Sequence, residues 1–220
     1  MLASHLFEQR YQTRGDPEEL RHATDVLEDR LARTPPGAPQ RDSLLNLAGA
    51  RWRERYTASA DPVHFTKAVS RLEEVLQEAE SGGAFHRTAT GNLGTAYRAH
   101  YNITGDLACL AAAVAAYERA VAGWDGATQD RAIPLSNLAN ALRASYEATG
   151  NRDHLDRSID LHEQAVATYP AGHPGLPQRL INLASAYGAR SSATDGRADL
   201  DRSAELLLQA LDGMPADSPM

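Results

Sequence analysis

Asparagine and arginine residues recur along this sequence at a regular spacing, so their side chains could form one extended polar site. An asparagine amide offers both a hydrogen-bond donor and an acceptor, which suits the backbone of an extended peptide. A guanidinium group suits an acidic side chain or a C-terminal carboxylate. We therefore predict a peptide-binding row made of Asn46, Asn92, Asn137, Asn140, Asn182, Arg53, Arg98 and Arg143.

The same two residue types also have ordinary structural roles, and the sequence leaves both interpretations open. An asparagine can bond to a neighbouring helix or loop and so set the spacing between elements. An arginine can remain a solvated side chain that makes weak surface pairs. The arginine row also ends early, because Gly188 stands 45 residues after Arg143.

No other group of residues predicts catalysis, a metal site or a cofactor. The 8 histidines lie outside the His-Glu-x-x-His and Cys-x-x-Cys patterns that bind metals. Cys109 is expected to be a small core residue, because its neighbours are apolar at helical spacing. His162 is likewise expected to be packed in the interior. The sequence therefore predicts a protein that is not an enzyme and needs no cofactor.

Composition narrows the class of partner. The formal net charge is -7, whereas nucleic-acid-binding surfaces carry a clustered positive charge. The chain has no run of 18 apolar residues, and its first residues are too polar for a signal peptide. A single cysteine fits a reducing compartment. We expect a cytoplasmic protein that binds neither nucleic acid nor membrane.

Internal repetition is the clearest pattern in the sequence. Tyrosine stands at 45-residue steps in Tyr11, Tyr56, Tyr101 and Tyr146, and other columns keep the same period. Asn46 lies one residue out of register, so the second repeat carries one extra residue before Tyr56. We predict a single repeat domain over 1–220, with a partial repeat, four repeats and a tail at 1–40, 41–85, 86–130, 131–177, 178–215 and 216–220.

Each repeat is predicted to contain two helices. From about 131 to 148, Leu138, Leu142 and Tyr146 fall on one arc of a helix, which is expected to face the core. Ser136 and the neighbouring asparagines and arginine fall on a second, polar arc. Glycine is suited to end such a helix, and an aspartate or asparagine suited to cap the next one follows directly, as in Gly15-Asp16, Gly105-Asp106 and Gly150-Asn151. Nothing alternates with the period of a strand, so the predicted fold is all-α.

The repeat resembles the tetratricopeptide repeat. The third repeat has Leu93-Gly94-x-x-Tyr97 in its first helix and Ala113, Tyr117 and Ala120 in its second. The repeats of this chain differ from the family in length, because the family repeat has about 34 residues and these have 45. The longer unit is similar to repeats of actinobacterial signalling proteins.

The resemblance implies an α-solenoid wound as a right-handed superhelix, whose first helices line a concave groove. It also implies that asparagine in the first helix holds the backbone of a bound peptide. The function we predict is a scaffold or sensor module that binds a protein or peptide segment as part of a larger signalling protein. The alternative is a structural module that self-associates through exposed repeat ends and has no peptide ligand.

Overall fold

The protein is described by a computed structural model, which covers residues 17–79, 83–124, 129–194 and 196–214. These residues form nine α-helices and no strand, which confirms the predicted all-α fold. The helices are α1 (Pro17–Ala32), α2 (Arg41–Ser59), α3 (Pro62–Glu78), α4 (Ala84–Thr104), α5 (Leu107–Ala122), α6 (Ala132–Thr149), α7 (Arg152–Ala167), α8 (Leu176–Thr194) and α9 (Arg197–Asp212). Gly15 and Asp16 lie outside the described residues.

The chain divides into two compact units, residues 1–123 and 124–220. In the first unit, α2 pairs with α3 and α4 pairs with α5, while α1 packs on α2 and α3 packs on α4. In the second unit, α6 pairs with α7, α8 pairs with α9, and α7 packs on α8. Each unit is therefore built from helical hairpins that pack on one another, as a helical repeat requires.

The turns inside the hairpins follow the predicted pattern. Gly105 and Gly150 adopt φ of 73° and end α4 and α6, which an L side chain would resist. Asp106 and Asn151 then cap α5 and α7 by accepting a hydrogen bond from the backbone N–H two residues later. Ala60 holds the glycine position of the earlier hairpin at φ 55°.

Aliphatic side chains and alanines fill the interior of each unit. The core of the first unit includes Leu27, Leu45, Leu72, Val75, Ala89 and Leu93. The core of the second includes Ile159, Leu180, Leu183, Ala184, Leu206 and Ala210. Four small residues, Gly94, Ala113, Ala120 and Ala165, are all buried, which lets neighbouring helices approach closely.

Two residues of α6 differ from the predicted arcs. Ser136 was assigned to the polar arc but is fully buried, and Tyr146 was assigned to the core but is only half-buried. Helix α6 packs on both α7 and α8. A helix with two neighbours buries a wider arc than one apolar stripe, so Ser136 enters the interior beside Leu135.

Partly buried polar contacts join α1 to the first hairpin. Glu28 of α1 accepts a hydrogen bond from the Trp52 indole Nε1 of α2 at 2.6 Å. The same carboxylate binds the guanidinium of Arg71 on α3 at 2.7 and 3.1 Å. One carboxylate thus joins three helices with directed bonds, which fixes the position of α2 and its polar residues.

Candidate peptide-binding site

Asn46 and Asn92 lie together in the first unit. The Nδ2 of Asn92 on α4 is 3.5 Å from the Oδ1 of Asn46 on α2. Asn46 is buried and donates its own Nδ2 to the carbonyl of Phe85 at 3.3 Å. The amide of Asn46 therefore joins α2 to the start of α4, whereas Asn92 is half-buried and makes one long contact.

The asparagines of the second unit make different contacts. Asn137 and Asn140 are half-buried on α6. Asn182 of α8 accepts a hydrogen bond from Gln178 Nε2 one turn earlier, at 3.1 Å. Asn137 and Asn182 occupy the same repeat position, but no direct bond between them matches the contact of Asn46 with Asn92 among the described residues.

Arg53 and Arg98 come from neighbouring helices and approach one tyrosine. Tyr117 of α5 is buried, and its hydroxyl donates to Thr95 Oγ1 at 3.1 Å. Burial raises the pKa of Tyr117, while the bond to Thr95 and the positive charges of Arg98 and Arg53 oppose that rise. The two guanidinium groups therefore lie close enough to the phenol to act on its charge.

The Nε atoms of the three predicted arginines are buried. Arg53, Arg98 and Arg143 each hold an Nε that has no hydrogen-bond partner within the described parts of the chain. Arg53 has a loose ion pair with its neighbour Glu54 at 3.6 Å, and Arg143 pairs with Glu147 one turn later. At these three equivalent repeat positions, the Nε–H group thus has no partner among the described residues and no contact with bulk solvent.

His162 replaces the tyrosine in the second unit. It stands 45 residues after Tyr117, and only 1% of its surface is exposed. Burial, together with the positive charges of Arg143 and Arg179, lowers the pKa of His162 to about 4. The predicted packing of His162 is confirmed, and two arginines again approach one buried ring.

The sequence did not indicate Arg179. Its Nε is also buried without a partner among the residues that the structure describes. Pro134 stands one period earlier, so Arg179 belongs to no arginine column. Its approach to His162 depends on the packing of α8 against α7, which a count along the chain cannot show.

Comparison with known proteins identifies the repeat. Residues 135–175, which cover most of the α6–α7 hairpin and the turn after it, match the family model described as tetratricopeptide repeat. This segment is similar in sequence to a tetratricopeptide repeat. No curated protein matches the chain at a significant level.

Solved structures of tetratricopeptide-like repeats resemble nearly the whole chain. The TPR-like repeats of a candidate kinesin light chain from Podosopora anserina are 23% identical, with a TM-score of 0.65 over 96% of this chain and 92% of that one. BtubC (BKLC) from P. vanneervenii is 20% identical, with a TM-score of 0.64 over 98% and 82%. MamA is 19% identical, with a TM-score of 0.54 over 93% and 92%. At these identities the likeness concerns the fold.

Tetratricopeptide-like folds are generally non-catalytic scaffolds for protein interaction, and this chain has such a fold. None of the described helices is both long enough and apolar enough to cross a membrane. The predicted interaction role is therefore supported at the level of the fold. The binding of a peptide by the eight named residues stays a prediction.

A second cluster lies in the tetratricopeptide-like hairpin of α4 and α5. One ligand-type atom from each of His100, Asp106 and Cys109 lies within 4.8 Å of the other two. The spacing His-x5-Asp-x2-Cys is not a common metal-binding motif, so the sequence does not indicate this cluster. Cys109 was expected in the core but is only partly buried.

The thiol in this cluster is not poised as a nucleophile. Burial, followed by the hydrogen bond to Asp106 and the charge of that carboxylate, raises the pKa of Cys109 to about 11. A thiol with such a pKa stays protonated at neutral pH, whereas reactive cysteines have a lowered pKa.

Proposed function

We propose that the chain binds a protein or peptide segment carrying a carboxylate, and that Arg53 and Arg98 form the main contact in the first unit. One observation carries the proposal. Guanidinium groups from α2 and α4 approach the same buried Tyr117, and the Nε of each is buried without a partner.

The charge arrangement favours an anion at this place. Both guanidinium groups bring positive charge to one phenol, and a carboxylate beside them would offset that charge. A carboxylate also accepts two parallel N–H bonds from one guanidinium. The acidic side chain or C-terminus of a peptide supplies this group, whereas a neutral segment does not.

The asparagines would act in two ways. Asn46 is committed to the carbonyl of Phe85, so we propose that it positions α4. Asn92 keeps its side-chain oxygen and one N–H available, because its contact with Asn46 is long at 3.5 Å. These two groups suit the backbone of a bound segment.

The second unit offers a corresponding set of contacts. Arg143 with Arg179 would bind the carboxylate, while Asn137 and Asn140 lie on the same helix as Arg143. Asn182 is partly occupied by Gln178. The wider prediction, a cytoplasmic scaffold or sensor within a larger signalling protein, remains part of this proposal.

A displayed library of peptides with free or amidated C-termini tests the first-unit site. We expect the selected peptides to carry acidic residues or a free C-terminus, and the variant Arg53→Met/Arg98→Met to bind them about 10- to 100-fold more weakly. The matched control is Arg33→Met/Arg202→Met, which removes the same charge at exposed ion pairs elsewhere.

Two results would contradict this proposal. One is selection of peptides without any preference for carboxylates. The other is an equal loss of affinity in the two double variants, because that would reflect net charge alone. Circular dichroism of each variant shows whether the helices are retained.

Self-association is a second candidate function, and one observation favours it. The helix α9 exposes a continuous apolar face. Its exposed members are Leu200, Leu207, Leu208 and Leu211, with Met214 directly after the helix. Side chains of this size are normally covered, and the same face on a second copy would cover them symmetrically.

A further inference from the structure

The cluster of His100, Asp106 and Cys109 lies where one helix ends and the next begins. His100 is in the last turn of α4, Asp106 is the N-cap of α5, and Cys109 is in the first turn of α5. The three side chains offer an imidazole nitrogen, a carboxylate oxygen and a sulfur within 4.8 Å of one another. These are three of the ligand types that bind transition metals in proteins.

The imidazole is held in place by aromatic neighbours. The hydroxyl of buried Tyr56 is hydrogen-bonded to His100 Nδ1 at 2.9 Å. The ring of Phe65 stacks on the imidazole with 4.2 Å between ring centroids. A hydrogen bond at one ring nitrogen orients the imidazole and leaves the other nitrogen as the metal ligand.

In the last repeat, the residues at the positions of His100 and Cys109 form a direct ion pair. Arg190 and Asp199 stand two periods after His100 and Cys109, and they are joined by two hydrogen bonds of 2.8 and 2.9 Å. The repeat thus brings these two positions together across its hairpin. In the α4–α5 hairpin the two positions carry a nitrogen and a sulfur donor, with the Asp106 carboxylate beside them.

We propose that His100, Asp106 and Cys109 bind one Zn²⁺ ion that joins α4 to α5, with water as the fourth ligand. Zinc accepts mixed sulfur, nitrogen and oxygen ligands, whereas magnesium and calcium require oxygen. Asp106 is exposed, so water can reach the fourth position. With metal–ligand bonds of about 2.0–2.3 Å, tetrahedral ligand atoms lie about 3.5 Å apart, and a small side-chain movement closes the cluster.

Metal binding exchanges one proton. The Cys109 thiol donates to Asp106 in the described structure. On binding, zinc takes the place of this proton, which passes to the buffer, and sulfur bonds to the metal as a thiolate. No oxidation or reduction takes place.

Titration of the reduced, chelator-treated chain with Zn²⁺ in a calorimeter tests the site. We expect one ion per chain and a higher thermal midpoint in its presence. Co²⁺ should produce a thiolate-to-metal charge-transfer band. Cys109→Ser should abolish that band, and Cys109→Ser and His100→Gln should each weaken zinc binding at least about 10-fold.

Asp106→Asn separates metal binding from folding. Asparagine caps the corresponding helix at Asn151, so this variant keeps the N-cap but loses the carboxylate. We expect it to fold normally and to bind zinc more weakly. His154→Gln is the matched control, because His154 occupies the Cys109 position one repeat later, outside the cluster.

The proposal is overturned if the wild-type chain binds no zinc with defined stoichiometry. It is also overturned if Cys109→Ser and Asp106→Asn bind zinc as tightly as the wild type. Peptide binding is read out separately, so failure of the zinc site leaves the carboxylate-binding proposal intact.

Discussion

At the scale of single residues, His162 shows how one substitution changes the chemistry of a repeat position. The hydroxyl of Tyr117 donates a hydrogen bond to Thr95. Both ring nitrogens of His162, by contrast, are buried without a partner among the described residues. A neutral imidazole tolerates this environment better than a charged one, because Arg143 and Arg179 lie nearby.

Protonation of His162 should make stability depend on pH. The folded pKa of about 4 lies below the unfolded value of 6.5, so the unfolded chain binds more protons between these values. The stabilising contribution is present above about pH 6.5 and is lost as pH falls towards 4. The free energy of unfolding should decrease by at most about 3 kcal/mol over this range.

Chemical denaturation at several pH values measures this effect. The free energy of unfolding of His162→Phe should depend less steeply on pH than that of the wild type, by about one proton. An unchanged slope in His162→Phe would mean that other groups cause the pH dependence.

At the scale of elements, α4 contains two glycines with opposite roles. A Cβ at Gly94 would lie 2.8 Å from the ring of Tyr117, which is buried and cannot move aside. A Cβ at Gly91 would have no neighbour within 4 Å. Gly94 therefore allows close packing of α4 on α5, whereas Gly91 only adds flexibility to the unfolded chain.

Alanine substitutions should separate these roles. We expect Gly94→Ala to lower the free energy of unfolding by about 1–3 kcal/mol through overpacking. Gly91→Ala should raise it by about 0.5–1 kcal/mol, since alanine is the better helix former. Urea denaturation of both variants measures the difference, and equal stability would contradict the packing role of Gly94.

The helix ends show how far element positions follow from local sequence. Gly105 with Asp106 and Gly150 with Asn151 predicted where helices end and begin, and the structure places both turns there. In one hairpin, Ala60 stands where other hairpins have the turn glycine. In another, Gly196 stands where the others have the capping aspartate or asparagine. The hairpin forms in these repeats as well, because the packing of its two helices outweighs one unfavourable turn residue.

At the scale of the whole molecule, the exposed face of α9 bears on assembly. If two copies pair through this face, the average mass in light scattering should rise with protein concentration. Leu208→Glu/Leu211→Glu should keep the chain monomeric, because charged side chains would be buried in the interface. Val63→Glu on α3 is the control, since Val63 is similarly exposed on another helix.

A constant monomer mass across the concentration series would exclude pairing through α9. An equal effect of the control would show that added charge, rather than the α9 face, reduces association. Neither result bears on the carboxylate site, because Arg53 and Arg98 lie on α2 and α4.

The sequence by itself determined the repeat, the helix pairs and most of their boundaries. These features depend on residues close together in the chain, such as the apolar spacing of α6 and the Gly150-Asn151 turn, so the period makes them visible. It also indicated Arg53, Arg98 and Arg143, because they share one repeat position.

Only the tertiary structure decided which side chains meet. The approach of Arg179 to His162, the bond of Asn46 to Phe85, and the cluster of His100, Asp106 and Cys109 join residues from different helices. Their distances depend on how side chains of different size pack between those helices, and a regular 45-residue period carries no information about that packing.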